Sequence, residues 1–128
     1  MEKHTTLSQS KKLAEFLPLE SADMHYNNAS IKGVNYVDNY RAELMDYNTA
    51  VKVLSKYSLN PLFEIVPCWS LDALLDILPY PSLHKTHLGW RCDSYNKEGT
   101  TCRLGENKNS PIDACVEMIL KLHNENVL

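Results

Sequence analysis

The residues whose types could do chemistry gather between His84 and Cys102. His84-Lys85-Thr86-His87 sets two imidazoles three residues apart, and Cys92 and Cys102 follow. Imidazole and thiolate are the ligands of a tetrahedral zinc site, and a metal held by His84 and His87 with nearby acids would support a metal-dependent enzyme. The spacing, however, fits no common finger or ribbon and contains no paired knuckle. A hairpin turning at 96–99 sets Tyr95 opposite Thr100 and Cys92 opposite Arg103, which sends Cys92 and Cys102 to opposite faces. The spacing favours two surface histidines ahead of a strand, with no metal and no cofactor.

Other candidates carry less. Cys68 precedes Trp69 and a helix start, where a thiol pKa can fall, but no base is identifiable beside it. A packed residue at a strand-to-helix corner is the simpler reading. Asp72 and Asp76 lie four apart, as do Asp113 and Glu117, on polar helix faces. The four glycines form neither a dinucleotide fingerprint nor a phosphate loop. G-x-S-x-G and H-E-x-x-H are both absent. No motif ties a residue to a reaction.

Contact chemistry is better represented. Trp90-Arg91, followed by Tyr95, combines the residue types enriched at interface hot spots. These three are the candidate binding residues, and a protein is the expected partner. The main alternative is nucleic acid. The chain carries a net charge of -3, whereas binding phosphates calls for positive charge. The 84–108 segment nevertheless holds Lys85, Arg91, Lys97, Arg103 and Lys108 against Asp93, Glu98 and Glu106. A basic hairpin with Trp90 and Tyr95 as stacking platforms is the form such binding would take.

The elements that must position these residues follow from caps and periodicity. Thr6-Leu7-Ser8-Gln9 reads as a capping box opening a helix that ends before Pro18. Asn27-Asn28, Gly33 and Asn35 mark turns. Tyr40 to Leu44 alternates like a half-buried strand, Asn48 to Tyr57 has helical spacing, and Leu62 to Val66 is a strand or extended linker. Ser70 caps a helix with a Leu71, Leu74, Leu75, Leu78 stripe, stopped by Pro79 and Pro81. Residues 88–95 and 100–104 form a hairpin. Ser110-Pro111 with Asp113 opens the last helix. There Glu117 and Lys121 are spaced for an ion pair, and the broad apolar stripe predicts packing on both a sheet and a neighbour. Homo-oligomerisation is another use of that stripe.

At 128 residues, 44% apolar and 23% charged, the chain suits one soluble domain. No apolar run approaches the ~20 residues of a membrane span. The N-terminal MEKHTTLSQSKK lacks the apolar core of a secretion signal. No C-x-x-C pair occurs among Cys68, Cys92, Cys102 and Cys115. The expectation is a cytoplasmic protein with free thiols.

Three segments carry a resemblance: Pro67-Cys68-Trp69-Ser70-Leu71-Asp72-Ala73-Leu74-Leu75, Gly89-Trp90-Arg91-Cys92, and Asn109-Ser110-Pro111-Ile112-Asp113-Ala114-Cys115-Val116-Glu117-Met118-Ile119. Together they resemble small uncharacterised proteins of Bacteroidales genomes and their phages or prophages. Residues 67–128 are also similar in element order to the phage ABA-sandwich domain. The resemblance implies a helix-and-antiparallel-sheet sandwich of mobile-element origin, and no activity. Residues 1–66 would add an N-terminal helix and a mixed elaboration. The expected whole is a single α+β domain serving as a non-catalytic accessory protein.

Overall fold

Thr6 decides where the first helix begins. Its hydroxyl accepts the Gln9 amide at 3.1 Å, and the Gln9 side chain accepts the Thr6 amide at 2.9 Å. This is the capping box that the sequence predicts. The computed structural model describes residues 3–28, 41–43 and 64–128. These residues form three α-helices and two small antiparallel sheets packed against helices, an α+β fold. The backbone divides into two compact units, Thr6–Ser70 and Leu71–Leu128 with the first five residues.

In the first unit, helix α1 spans Leu7–Leu13 and a 3-10 turn covers Leu19–Ser21. Strand β1, Met24–Asn28, lies between β2, Arg41–Glu43, and β3, Glu64–Cys68, antiparallel to both. Tyr26 faces Val66 and Met24 faces Cys68, and α1 packs against β3 with Leu7 at this cluster. Asn27 and Asn28, expected in a turn, instead end β1. Pairing of Asn27 on both flanks and of Asn28 with β3 outweighs the weak strand preference of asparagine. The expected 62–66 run becomes β3, and the predicted strand at 40–44 contains β2. The predicted helix over 48–57 and the turns at Gly33 and Asn35 lie outside the described residues.

Two polar ties close this unit over long stretches of sequence. The buried Trp69 donates its indole N–H to Ser21 Oγ at 3.0 Å. Asp23 accepts the Ser70 amide at 2.9 Å and also the Ser70 hydroxyl.

The second unit begins with α2, Leu71–Ile77, which buries Ala73 and Leu74. A three-stranded sheet follows in the order β4 (Pro81–Thr86), β5 (Gly89–Tyr95), β6 (Cys102–Arg103). Helix α3, Pro111–Asn124, packs on β5 and on α2, as the width of its apolar stripe predicts. Ser110 caps it, accepting the Asp113 amide at 3.1 Å. Ile112, Cys115, Met118, Ile119 and Leu122 are fully buried. Lys121 donates to Leu104 O at 3.0 Å rather than serving only as a partner for Glu117. No helix among the described residues is long and apolar enough to cross a membrane.

Two strand expectations change. The segment around His84 is itself a strand, β4, closed onto β5 by a two-residue turn at His87-Leu88. Pro81 is compatible with this because it is the first residue of an edge strand. The β5–β6 register pairs Tyr95 with Cys102 and Ser94 with Arg103, two residues from the expected pairing. Asn96 explains the shift. Its side chain accepts the amides of Thr100 and Thr101 at 2.9 and 3.1 Å, and its own amide donates to Thr101 O. Asn96 thus closes the loop one residue later than the glycine position alone implies.

Candidate functional site

Alternation along β5 sorts the chemistry of the second unit onto two faces. Leu83, Lys85, Trp90, Cys92 and Ser94 share the side that meets α3, and the Cys92 thiol donates to Asp93 O at 3.9 Å. Ser82, His84, Arg91, Asp93 and Tyr95 share the outward side, with Cys102 across from Tyr95. The candidate contact residues therefore do not form one surface. Arg91 and Tyr95 point outward. Trp90 is half-buried on the helix side, with the Lys85 ammonium 5.8 Å from its ring centroid.

Asp93 anchors the outward side. It is 2% exposed, and a buried carboxylate requires partners to remain charged. It accepts the Gly105 amide at 2.9 Å and an Arg91 Nη2 hydrogen at 3.2 Å. His84 Nε2, on the neighbouring strand, stands 3.7 Å from it. Arg91 Nε also lies 3.2 Å from Asp93 Oδ1, but off the hydrogen-bonding direction, so this contact is electrostatic only. Glycine is needed twice beside this strand. A Cβ on Gly105 would collide with the Cys92 carbonyl, and one on Gly89 with the Lys108 carbonyl. Those close approaches let Trp90 and Lys108 exchange main-chain hydrogen bonds of 2.8 and 2.7 Å.

At the end of the sheet, Tyr95 donates its amide to Tyr80 O at 3.1 Å. Both rings are exposed, Tyr80 at 54% and Tyr95 at 38%. Tyr80 sits at φ 43°, a left-handed conformation that is unusual for a bulky residue. The Tyr95 phenol is raised above its usual pKa, first by charge repulsion from the neighbouring Cys102 and then by a hydrogen bond with it. An open depression of about 500 Å³ near this end is lined by Thr101, Cys102, Arg103 and Glu125.

The metal-ligand candidates separate. His84 turns toward Asp93, where a guanidinium already neutralises the carboxylate, while His87 lies exposed in the turn. Cys92 is buried on one face and Cys102 half-buried on the other. Among the described residues, no group of three or more His, Cys, Asp or Glu side chains is placed to hold a metal. The basic residues are also less free than their count implies. Arg91 pairs with Asp93, Arg103 with Glu125, and Lys108 with Glu106 at 3.6 Å.

Sequence reasoning overlooked Tyr80 and Asp93. Tyr80 lies between two prolines and reads as part of a helix stop. A lone aspartate inside an alternating strand gives no sign that it is buried. Comparison with protein-family models, with curated proteins and with solved structures returned no match.

Proposed function

We propose that this chain works by binding a protein partner through the outward face of the β4–β5–β6 sheet, with Tyr80, Arg91 and Tyr95 as its contact residues. The observation that carries this reading is the pair of neighbouring, exposed tyrosines at the sheet end. Tyrosine offers a large amphipathic surface at low entropic cost, and arginine beside it is a common hot-spot companion. Arg91 is pre-oriented by Asp93, which lowers the cost of ordering it on binding. The ion pairing of Arg91, Arg103 and Lys108 reduces the charge left to neutralise phosphates, which favours protein over nucleic acid. The phage or prophage kinship expected for Pro67–Leu128 agrees with an accessory role and rests on its motifs alone. A reducing cytoplasm suits the four free cysteines.

The test is capture of partners from host lysate by the tagged chain, with and without nuclease, beside a Tyr80→Ala/Tyr95→Ala variant. The expected prey survives nuclease and falls at least about tenfold in the variant, the loss of about 1.4 kcal/mol. Circular dichroism checks that the variant is folded. Equal recovery by the two proteins would defeat this reading. Prey that vanishes with nuclease would put the 84–108 hairpin and nucleic acid in its place.

A further inference from the structure

Strand β4 leaves one flank of its sheet open. Among the described residues it pairs with β5 alone, and every residue along it keeps some solvent exposure. The direction of its main-chain groups follows from β5. Trp90 directs both its amide and its carbonyl to Lys108, on the side away from β4. Hydrogen-bonded and non-bonded pairs alternate along an antiparallel ladder. Lys85, opposite Trp90, therefore turns its N–H and C=O outward, and so does Leu83 two residues earlier. Tyr95, which donates to Tyr80 O, fits the same alternation. Pro81 takes the next outward position, where its missing N–H would point away from β5. Among the described residues, no group pairs with the outward N–H and C=O of Leu83 and Lys85.

This edge is also cationic. Residues 80–91 hold His84, Lys85, His87 and Arg91 and no acidic side chain. Asp93 neutralises Arg91, whereas Lys85 is exposed beside the Trp90 ring without a carboxylate partner among the described residues. Leu83 and Lys85 share one side of the sheet.

We infer that β4 takes up an extended acidic segment of the protein partner as an added antiparallel strand. A carboxylate of that segment faces Lys85, and an apolar side chain two residues on faces Leu83. The outward groups of Leu83 and Lys85 supply the main-chain hydrogen bonds, and the two side chains supply the selectivity. A second copy of this chain would bring the same cations to the edge, so charge complementarity favours the acidic segment. The inference rests on the protein-binding reading of this sheet and gives the bound segment its form.

The full chain would be titrated with the peptide acetyl-Ser-Thr-Glu-Thr-Val-Thr-Ser-amide and with its counterpart carrying lysine for glutamate. Nuclear magnetic resonance would follow binding and amide exchange. The acidic peptide is expected to bind with a Kd below about 1 mM. It should slow exchange of the Leu83 and Lys85 amides, and the lysine peptide should bind several-fold more weakly. In Lys85→Glu the preference should reverse, with unchanged exchange in α3 showing that the variant is folded. Equal binding of the two peptides, binding of neither, or binding that leaves both amides unprotected overturns the inference. So does protection that grows with protein concentration in the absence of peptide, which would make the edge a contact between copies. Lysate prey that Tyr80→Ala/Tyr95→Ala loses and Lys85→Glu keeps would uphold the tyrosine face and overturn the edge alone.

Discussion

The two units reach a buried core by different routes. In Thr6–Ser70, the central strand pairs with segments far away in sequence, and polar ties run from Ser21 and Asp23 to Trp69 and Ser70. In Leu71–Leu128, β4 and β5 are joined by a two-residue turn, and a long capped helix supplies most of the apolar side chains. The second route needs only local closure, so its elements are written in adjacent residues. The first needs distant strands to find one another before any burial compensates the loop entropy. The comparison shows why caps and periodicity mark the second unit more plainly than the first.

Each unit carries one of the two tryptophans, Trp69 and Trp90, so fluorescence can address them separately. The largest effect is expected from Trp69→Ala, which removes a fully buried ring and its hydrogen bond to Ser21. A loss of about 3–5 kcal/mol should appear in the urea midpoint. Hydrogen exchange should rise first in Met24–Asn28 and Glu64–Cys68. A rise confined to α3 would break the comparison. Next comes Ile119→Ala on the buried stripe of α3, expected to cost about 2–5 kcal/mol by the same measurement. Here Trp90 emission should report the change.

Gly105→Ala sharpens the view of how the 105–108 segment is held. Its Cβ would displace the Cys92 carbonyl and disturb the Asp93 contact, at a cost of about 1–3 kcal/mol. Thermal melting reads the loss, and an unchanged midpoint would mean the segment yields freely.

The smallest effect is expected from Glu117→Gln, and it should be stabilising. Burial raises the Glu117 carboxyl above its usual pKa, against the Glu106 amide, Lys108 and Lys121, which lower it. A raised folded-state pKa means the carboxyl's contribution is full below its unfolded value, about 4.3. That contribution is lost as pH rises through the folded value. Glutamine never ionises, so the variant should be the more stable at neutral pH. Its advantage should shrink as pH falls toward about 4. Melting curves across that range test the sign.

Much of this molecule was legible before its structure. Thr6 with Gln9 and Ser110 with Pro111 placed two helix starts, because caps act through neighbours three residues away. The apolar width of α3 announced two packing partners, because each buried side must cover something. Gly99 marked the turn of the second hairpin, and its φ of 71° is the conformation glycine is suited to. The part of the candidate site that could be read was Arg91 and Tyr95, recognisable by residue type.

Tertiary structure decided the rest. The register that joins Tyr95 to Cys102 depends on Asn96 reaching Thr100 and Thr101. The separation of Trp90 from Arg91 depends on which face of the sheet α3 covers. The pairing of Tyr80 with Tyr95 and the burial of Asp93 arise from contacts between strands. Caps and periodicity are properties of neighbouring residues, so the sequence alone determined the helix starts and the fold class. Register, face and partner are properties of distant residues brought together, and a one-residue shift inverts every side chain along a strand.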